Sequence, residues 1–147
     1  MTVASFVRGS LIACACLAAA AAAGCGDSPT TPSSSAPFSQ TDVRAGTGAD
    51  AASGKVLTVH YTGWLYDASK TDGKGLQFET SVGGSPFMFG LGFGEVIPGW
   101  DQGLPGMKVG GLRRLVIPPS LAYGAVRNGP IPPYASLVFE IELLEVQ

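Results

Sequence analysis

Glu95-Val96-Ile97-Pro98-Gly99-Trp100-Asp101-Gln102-Gly103 decides how this chain folds. Pro98 suits the first turn of a helix, because its ring presets φ and its missing N–H would have had no partner there. Pro105 follows closely and stops the helix, so the spacing predicts one short helix over Pro98–Leu104. That helix carries Trp100 behind the apolar pair Val96 and Ile97. A stubby helix presenting a large aromatic suits the floor of an apolar cavity. It does not suit a centre that moves protons or binds metal.

Working outward, the flanking sequence alternates. In Leu57-Thr58-Val59-His60-Tyr61 the odd positions share one face, the period of a half-buried strand. Leu137, Phe139, Ile141 and Leu143 repeat it, with Glu140 and Glu142 turned outward. Further strands are expected over Leu112–Ile117, with Leu115 and Ile117 inward, over Phe87–Leu91 and over Leu76–Glu79. Several short strands and a single short helix predict an α+β domain. In it an antiparallel β-sheet wraps around one short α-helix that covers its apolar face. Phe89 is expected in the core, and His60 on the solvent side. Arg113 and Arg114 are expected at a solvated strand end, and Glu140, Glu142 and Glu145 on an exposed strand face.

Composition narrows the function. A formal net charge of −2 leaves no basic footprint for nucleic acid. The 21 glycines and 11 prolines among 147 residues favour turns and short strands. Cys14, Cys16 and Cys25 all precede the patterned region, which leaves it without a disulfide or thiolate metal site. A lone histidine, His60, provides no paired-histidine metal site either, and no metal or cofactor is expected.

Residues 1–24 read as an export signal: Arg8 is its only charge, Leu11–Ala23 is nearly all apolar, and small residues close it. The apolar run is shorter than the roughly 20 residues a bilayer span needs. Ala22-Ala23-Gly24-Cys25 resembles the lipobox of bacterial lipoproteins, in which the cysteine is lipidated and becomes the mature N-terminus. Cleavage near Ala21–Ala23, releasing a soluble exported protein, is the alternative. Residues 25–42 are rich in Ser, Thr and Pro and are expected to form a disordered tether, with the folded domain over 43–147. Gly26 lacks the carboxylate that commonly retains lipoproteins at the inner membrane. The expected place is therefore the outer membrane, facing the periplasm, with a soluble periplasmic form as the alternative.

Five segments carry a family likeness in order. They are Val59-His60-Tyr61-Thr62-Gly63, Gln77-Phe78-Glu79-Thr80-Ser81, Glu95 to Trp100, Leu121-Ala122-Tyr123-Gly124, and Ile131-Pro132-Pro133 with Leu137-Val138-Phe139-Glu140. Through them the chain resembles the FKBP-type peptidyl-prolyl cis-trans isomerase family over about residues 55–147. The resemblance implies a shallow aromatic pocket between sheet and helix, in an enzyme that accelerates X-Pro rotation in exported proteins. By the same likeness Trp100 is the floor, Tyr61, Phe87 and Phe139 are walls, and Val96 and Ile97 line the entry to the helix. Tyr123 and Ile131 belong to the rim, and Phe78 and Glu79 complete one side. The Ile97 N–H and the Tyr123 hydroxyl are the implied donors to substrate carbonyls. Glu79 stands where the family usually has aspartate with a basic residue a few positions on. Here Val82-Gly83-Gly84-Ser85 follows and has no cation.

Expected partners are proline-containing polypeptides, macrolide inhibitors, and a membrane reached through the lipid on Cys25; a monomer is expected. A non-catalytic proline-binding or chaperone module of the same fold is the alternative function. Taken without the likeness, Tyr61, Phe78, Phe87, Trp100 and Phe139 would read as ordinary core aromatics.

Overall fold

A computed structural model of the protein describes residues 35–147. The expected signal segment, Cys25 and most of the tether lie outside the described residues. The order of elements is β1 (Ser39–Arg44), β2 (Val56–Tyr66), β3 (Lys74–Thr80), β4 (Phe87–Gly90), α1 (Pro98–Gly103), β5 (Leu112–Ile117), a 3-10 turn at Pro119–Leu121, and β6 (Leu137–Val146). They form a six-stranded sheet in the order β1-β5-β6-β2-β3, with β4 also paired to β2. Every pairing is antiparallel. Among the described residues no helix is long and apolar enough to cross a membrane.

Register decides what faces the helix. Gly63 pairs with Phe139, which pairs in turn with Leu115, and Tyr61 pairs with Ile141. Leu57, Val59, Leu115, Ile117, Leu137, Phe139, Ile141 and Leu143 are buried on that face, together with Phe89, Trp100 and Leu104. A cross-strand row of this kind removes most of each side chain from water, at about 1.5–3 kcal/mol per large apolar residue.

Two glycines let α1 lie close on β5. A Cβ at Gly99 would meet Ile117 Cγ2 at 2.5 Å, and one at Gly103 would meet Leu115 Cδ2 at 2.6 Å. They stand four apart and so share one helix face. The helix is backed directly onto the strand, and Trp100 is aimed elsewhere.

Three expectations need correction. The tether reading extended to Asp42, yet Ser39–Arg44 is a strand paired with β5. Phe38 packs on the core, and the Ala36 N–H donates to Ser136 Oγ at 3.1 Å. All six β1 side chains are exposed, so the strand has no apolar alternation to show itself; backbone pairing alone recruits it. Arg113 is not solvated but 6% exposed. It shares the inner face with Leu115 and Ile117, where its guanidinium donates to Asp42 Oδ1 at 2.6 Å and Oδ2 at 3.1 Å. It also donates to the carbonyls of Gly103 at 2.8 Å and Pro105 at 3.1 Å, which α1 leaves open at its end. Glu140 is half-buried on the outer face between Lys74 at 2.7 Å and Arg114 at 2.8 Å.

Candidate functional site

Aromatic rings meet on Trp100. Its centroid lies 5.2 Å from Tyr61, 5.3 Å from Phe139, 5.5 Å from Phe89 and 6.3 Å from Phe87. The interplanar angles to Tyr61 and Phe139 are 79° and 88°. Edge-to-face pairs of this kind add about 0.5–1.5 kcal/mol each beyond area burial. The rings therefore hold one another in place. Gly63 makes room for them: a Cβ there would meet Phe78 Cζ at 2.6 Å and Phe139 Cε1 at 2.8 Å.

Above Trp100 opens a cavity of about 370 Å³ lined by Tyr61, Glu79, Phe87, Gly94, Glu95, Val96, Ile97, Trp100, Tyr123 and Phe139. The volume lies at the small end of ligand sites, about 300–1,000 Å³. Eight of the lining residues are among those the sequence nominates. The other two nominees stand behind. Phe78 packs edge-on against Phe139 at 5.7 Å, and Ile131 is 4% exposed within the core. Phe78 thus props a wall, and Ile131 anchors the loop that carries Tyr123 instead of forming the rim itself.

Four of the ten lining residues, Tyr61, Glu79, Glu95 and Tyr123, bring polar groups to the cavity. Burial first, and then the hydrogen-bonded Glu79 carboxylate, push the Tyr61 hydroxyl up to about 12. Burial likewise raises Tyr123, against a hydrogen bond from Asn128 that lowers it, with the charge of Glu79 adding to the rise. Both phenols remain protonated donors at ordinary pH. The Ile97 N–H, just ahead of α1, enters no backbone hydrogen bond among the described residues. Trp100 Nε1 is buried with no hydrogen-bond partner among the described residues.

The cavity wall at Gly94 and Glu95 was not anticipated as part of the site. Glu95 Oε2 accepts the Gly90 N–H at 2.8 Å, and Asp101 accepts the N–H groups of Gly92 at 2.8 Å and Gly94 at 3.2 Å. The signal was present in Gly90-Leu91-Gly92-Phe93-Gly94, whose spaced glycines favour a turn, and Gly92 and Gly94 take positive φ. Two acids nearby, Glu95 and Asp101, were there to answer them. Asn128 was also missed. An amide in a polar loop has no periodicity to give it away.

The comparisons agree with this geometry. The family model for the FKBP-type peptidyl-prolyl cis-trans isomerase matches residues 48–144. An FK506-binding protein of Neisseria meningitidis serogroup B is 48% identical over 107 residues, covering 71% of this chain and 92% of its own. FK506-binding protein 2B of Rhizopus delemar is 54% identical over 97 residues, covering 65% of this chain and 44% of its own. Among solved structures, AtFKBP13 superposes with a TM-score of 0.64 at 38% identity, covering 75% of this chain and 93% of that one. FkpA from Escherichia coli gives 0.62 at 41% identity, covering 75% and 48%. With fold, aromatic cavity and sequence in agreement, the chain belongs to the FKBP-type peptidyl-prolyl cis-trans isomerases.

Proposed function

We propose that the cavity over Trp100 receives the proline of an exported polypeptide and lowers the barrier to rotation of its X-Pro bond. The observation that carries this reading is the ring of Tyr61, Phe87, Trp100 and Phe139 that lines one cavity. Rotation breaks no covalent bond. Its barrier of about 18–20 kcal/mol is lost amide resonance, and uncatalysed exchange takes tens to hundreds of seconds. Turnover at 1–1,000 per second requires a lowering of roughly 3–7 kcal/mol.

The planar amide is more dipolar than the twisted one, since resonance places negative charge on oxygen and positive charge on nitrogen. An apolar cavity therefore favours the twisted form relative to the planar one, which is differential binding of the transition state. The Ile97 N–H and the Tyr123 hydroxyl hold the flanking carbonyls, so the bond twists about a fixed frame. Glu79 lines the same cavity as Tyr61, and its carboxylate adds to the rise of the Tyr61 hydroxyl. Phe78 supports Phe139, and Val96 with Ile97 closes the helix side. FK506-type macrolides would occupy the same cavity and compete with peptide.

A peptide isomerisation assay tests this. Wild type is expected to accelerate X-Pro exchange, and Tyr61→Phe to lower kcat/KM roughly three- to tenfold with the fold retained, the worth of one hydrogen bond. A folded wild type that leaves the exchange rate unchanged contradicts the reading.

Lipidation of Cys25 and display at the outer membrane, facing the periplasm, complete the proposal. Arg8, the apolar run Leu11–Ala23 and Ala22-Ala23-Gly24-Cys25 support it. Multiple acyl chains at one residue anchor stably where one does not. Palmitate label that is lost in Cys25→Ser is the expected result; label that survives the change overturns the assignment to Cys25, and a wild type that takes up no label favours the soluble periplasmic form.

A further inference from the structure

Strand β3 leaves the sheet at Ser81, and there a side chain takes over the ladder. In regular antiparallel pairing Tyr61 and Ser81 would exchange two backbone hydrogen bonds. One of them forms: the Ser81 N–H donates to the Tyr61 carbonyl at 2.9 Å. The Tyr61 N–H donates instead to Ser81 Oγ at 2.9 Å. This frees the Ser81 carbonyl to accept the Gly84 N–H at 3.1 Å, which closes the turn beyond the strand. The Thr80 hydroxyl also donates to the Tyr61 carbonyl, at 3.1 Å. Both backbone groups of Tyr61 are thus held by Thr80 and Ser81, the two residues that follow Glu79. Tyr61 and Glu79 line the cavity, whereas Ser81 stands behind it.

A serine hydroxyl has one proton to donate. With Oγ accepting from Tyr61, that proton finds its acceptor in His60 Nδ1, 3.1 Å away. The imidazole then carries its own proton on Nε2. We propose that Ser81, its hydroxyl oriented by His60, is a positioning residue for the Tyr61 phenol. The inference rests on the cavity being the proline site. A phenol is a long lever on its own backbone, so a small backbone rotation carries the hydroxyl further. In a positioned site a displacement of about 1 Å is already costly. Alanine at position 81 leaves the Tyr61 N–H to compete with Gly84 for the residue 81 carbonyl. Either the turn opens or the wall shifts.

The test is a double-mutant cycle in kcat/KM on the full chain, with an X-Pro peptide as substrate. Ser81→Ala should lower kcat/KM roughly three- to tenfold when Tyr61 is present. In Tyr61→Phe, where no hydroxyl is left to place, the same change should cost less than about twofold. Ser81→Thr should restore most of the loss. An equal fold-loss in both backgrounds makes Ser81 merely structural and overturns the proposal, as does a Ser81→Ala variant that matches wild type. Nitrogen NMR of the His60 imidazole needs no variant. At about pH 8, where an imidazole is ordinarily neutral, wild type should show the Nε2–H tautomer. The Nδ1–H tautomer overturns the proposal and leaves the cavity reading intact. A folded wild type inert on X-Pro peptides overturns positioning and cavity together.

Discussion

Tyr134 is the one residue other than glycine among those described with positive φ, at 59°. Its N–H donates to the Gly124 carbonyl at 2.7 Å, which ties the end of the Tyr123 loop to its start. That bond holds the residue in a left-handed conformation costing about 1–2 kcal/mol for an L side chain. The side chain is 66% exposed and gives little in return. Asparagine tolerates this backbone far better, so Tyr134→Asn should raise stability by about 0.5–1 kcal/mol in urea unfolding. Tyr61 shows the opposite economy: its shift to about 12 arises from the burial and the Glu79 contact that serve the site. The sequence named both Tyr61 and Glu79, because aromatic and acid each fall in a recognisable segment. It gave no sign of strain at Tyr134, since backbone dihedrals leave no trace in residue type when a loop is closed from outside.

Helix α1 was legible from its two prolines, but its seating was not. Gly99 and Gly103 resemble ordinary breakers in the sequence, whereas in the fold they are the face that touches β5. Gly99→Ala should improve helix propensity and still destabilise the protein by about 1–3 kcal/mol, because its methyl must displace Ile117. The lifted helix should also lower isomerase activity, read in the same peptide assay. At the other end of α1, Arg113 binds the open carbonyls and Asp42 together. Alternation placed Arg113 on the inner face with Leu115 and Ile117, yet its charge argued for water. The guanidinium satisfies both by reaching the margin of the sheet, where α1 ends and β1 begins.

The hydrogen bond from Arg113 holds the Asp42 carboxyl below its ordinary 3.8, and Lys74 with Arg114 holds Glu140 below 4.5 despite its burial. Both groups are depressed in the folded state, so their stabilisation is fully present above those ordinary values. It is lost as pH falls through the folded pKa values. Asp42→Asn should therefore flatten the decline of stability below about pH 4, measured as urea midpoint against pH.

At the scale of the molecule, the domain begins earlier than its sequence pattern. Phe38 packs on the core and Asp42 neutralises the buried Arg113. A chain beginning at Val43 should lose about 3 kcal/mol or more relative to one beginning at residue 35, in denaturant titration. The reason is a buried charge left unpaired. The sheet, the helix and most of the cavity could be read from alternation and aromatic spacing. The edge strand could not, because it contributes hydrogen bonds and two ion pairs, Asp42 with Arg113 and Arg44 with Glu142, but no inward apolar face. Local pattern reports what a segment buries, and β1 buries almost nothing of its own.

The chain contains two tryptophans, Trp64 and Trp100. Trp64 lies under the ammonium of Lys74, 4.5 Å from its ring centre, on the outer face of the sheet. Trp100 is 4% exposed, and its emission is set by the rings and the cavity above it. The two indoles therefore differ in surroundings as sharply as two added dyes would. A guest that settles over Trp100 changes one emission component and leaves the other as an internal standard, so the protein reports its own occupancy without a label.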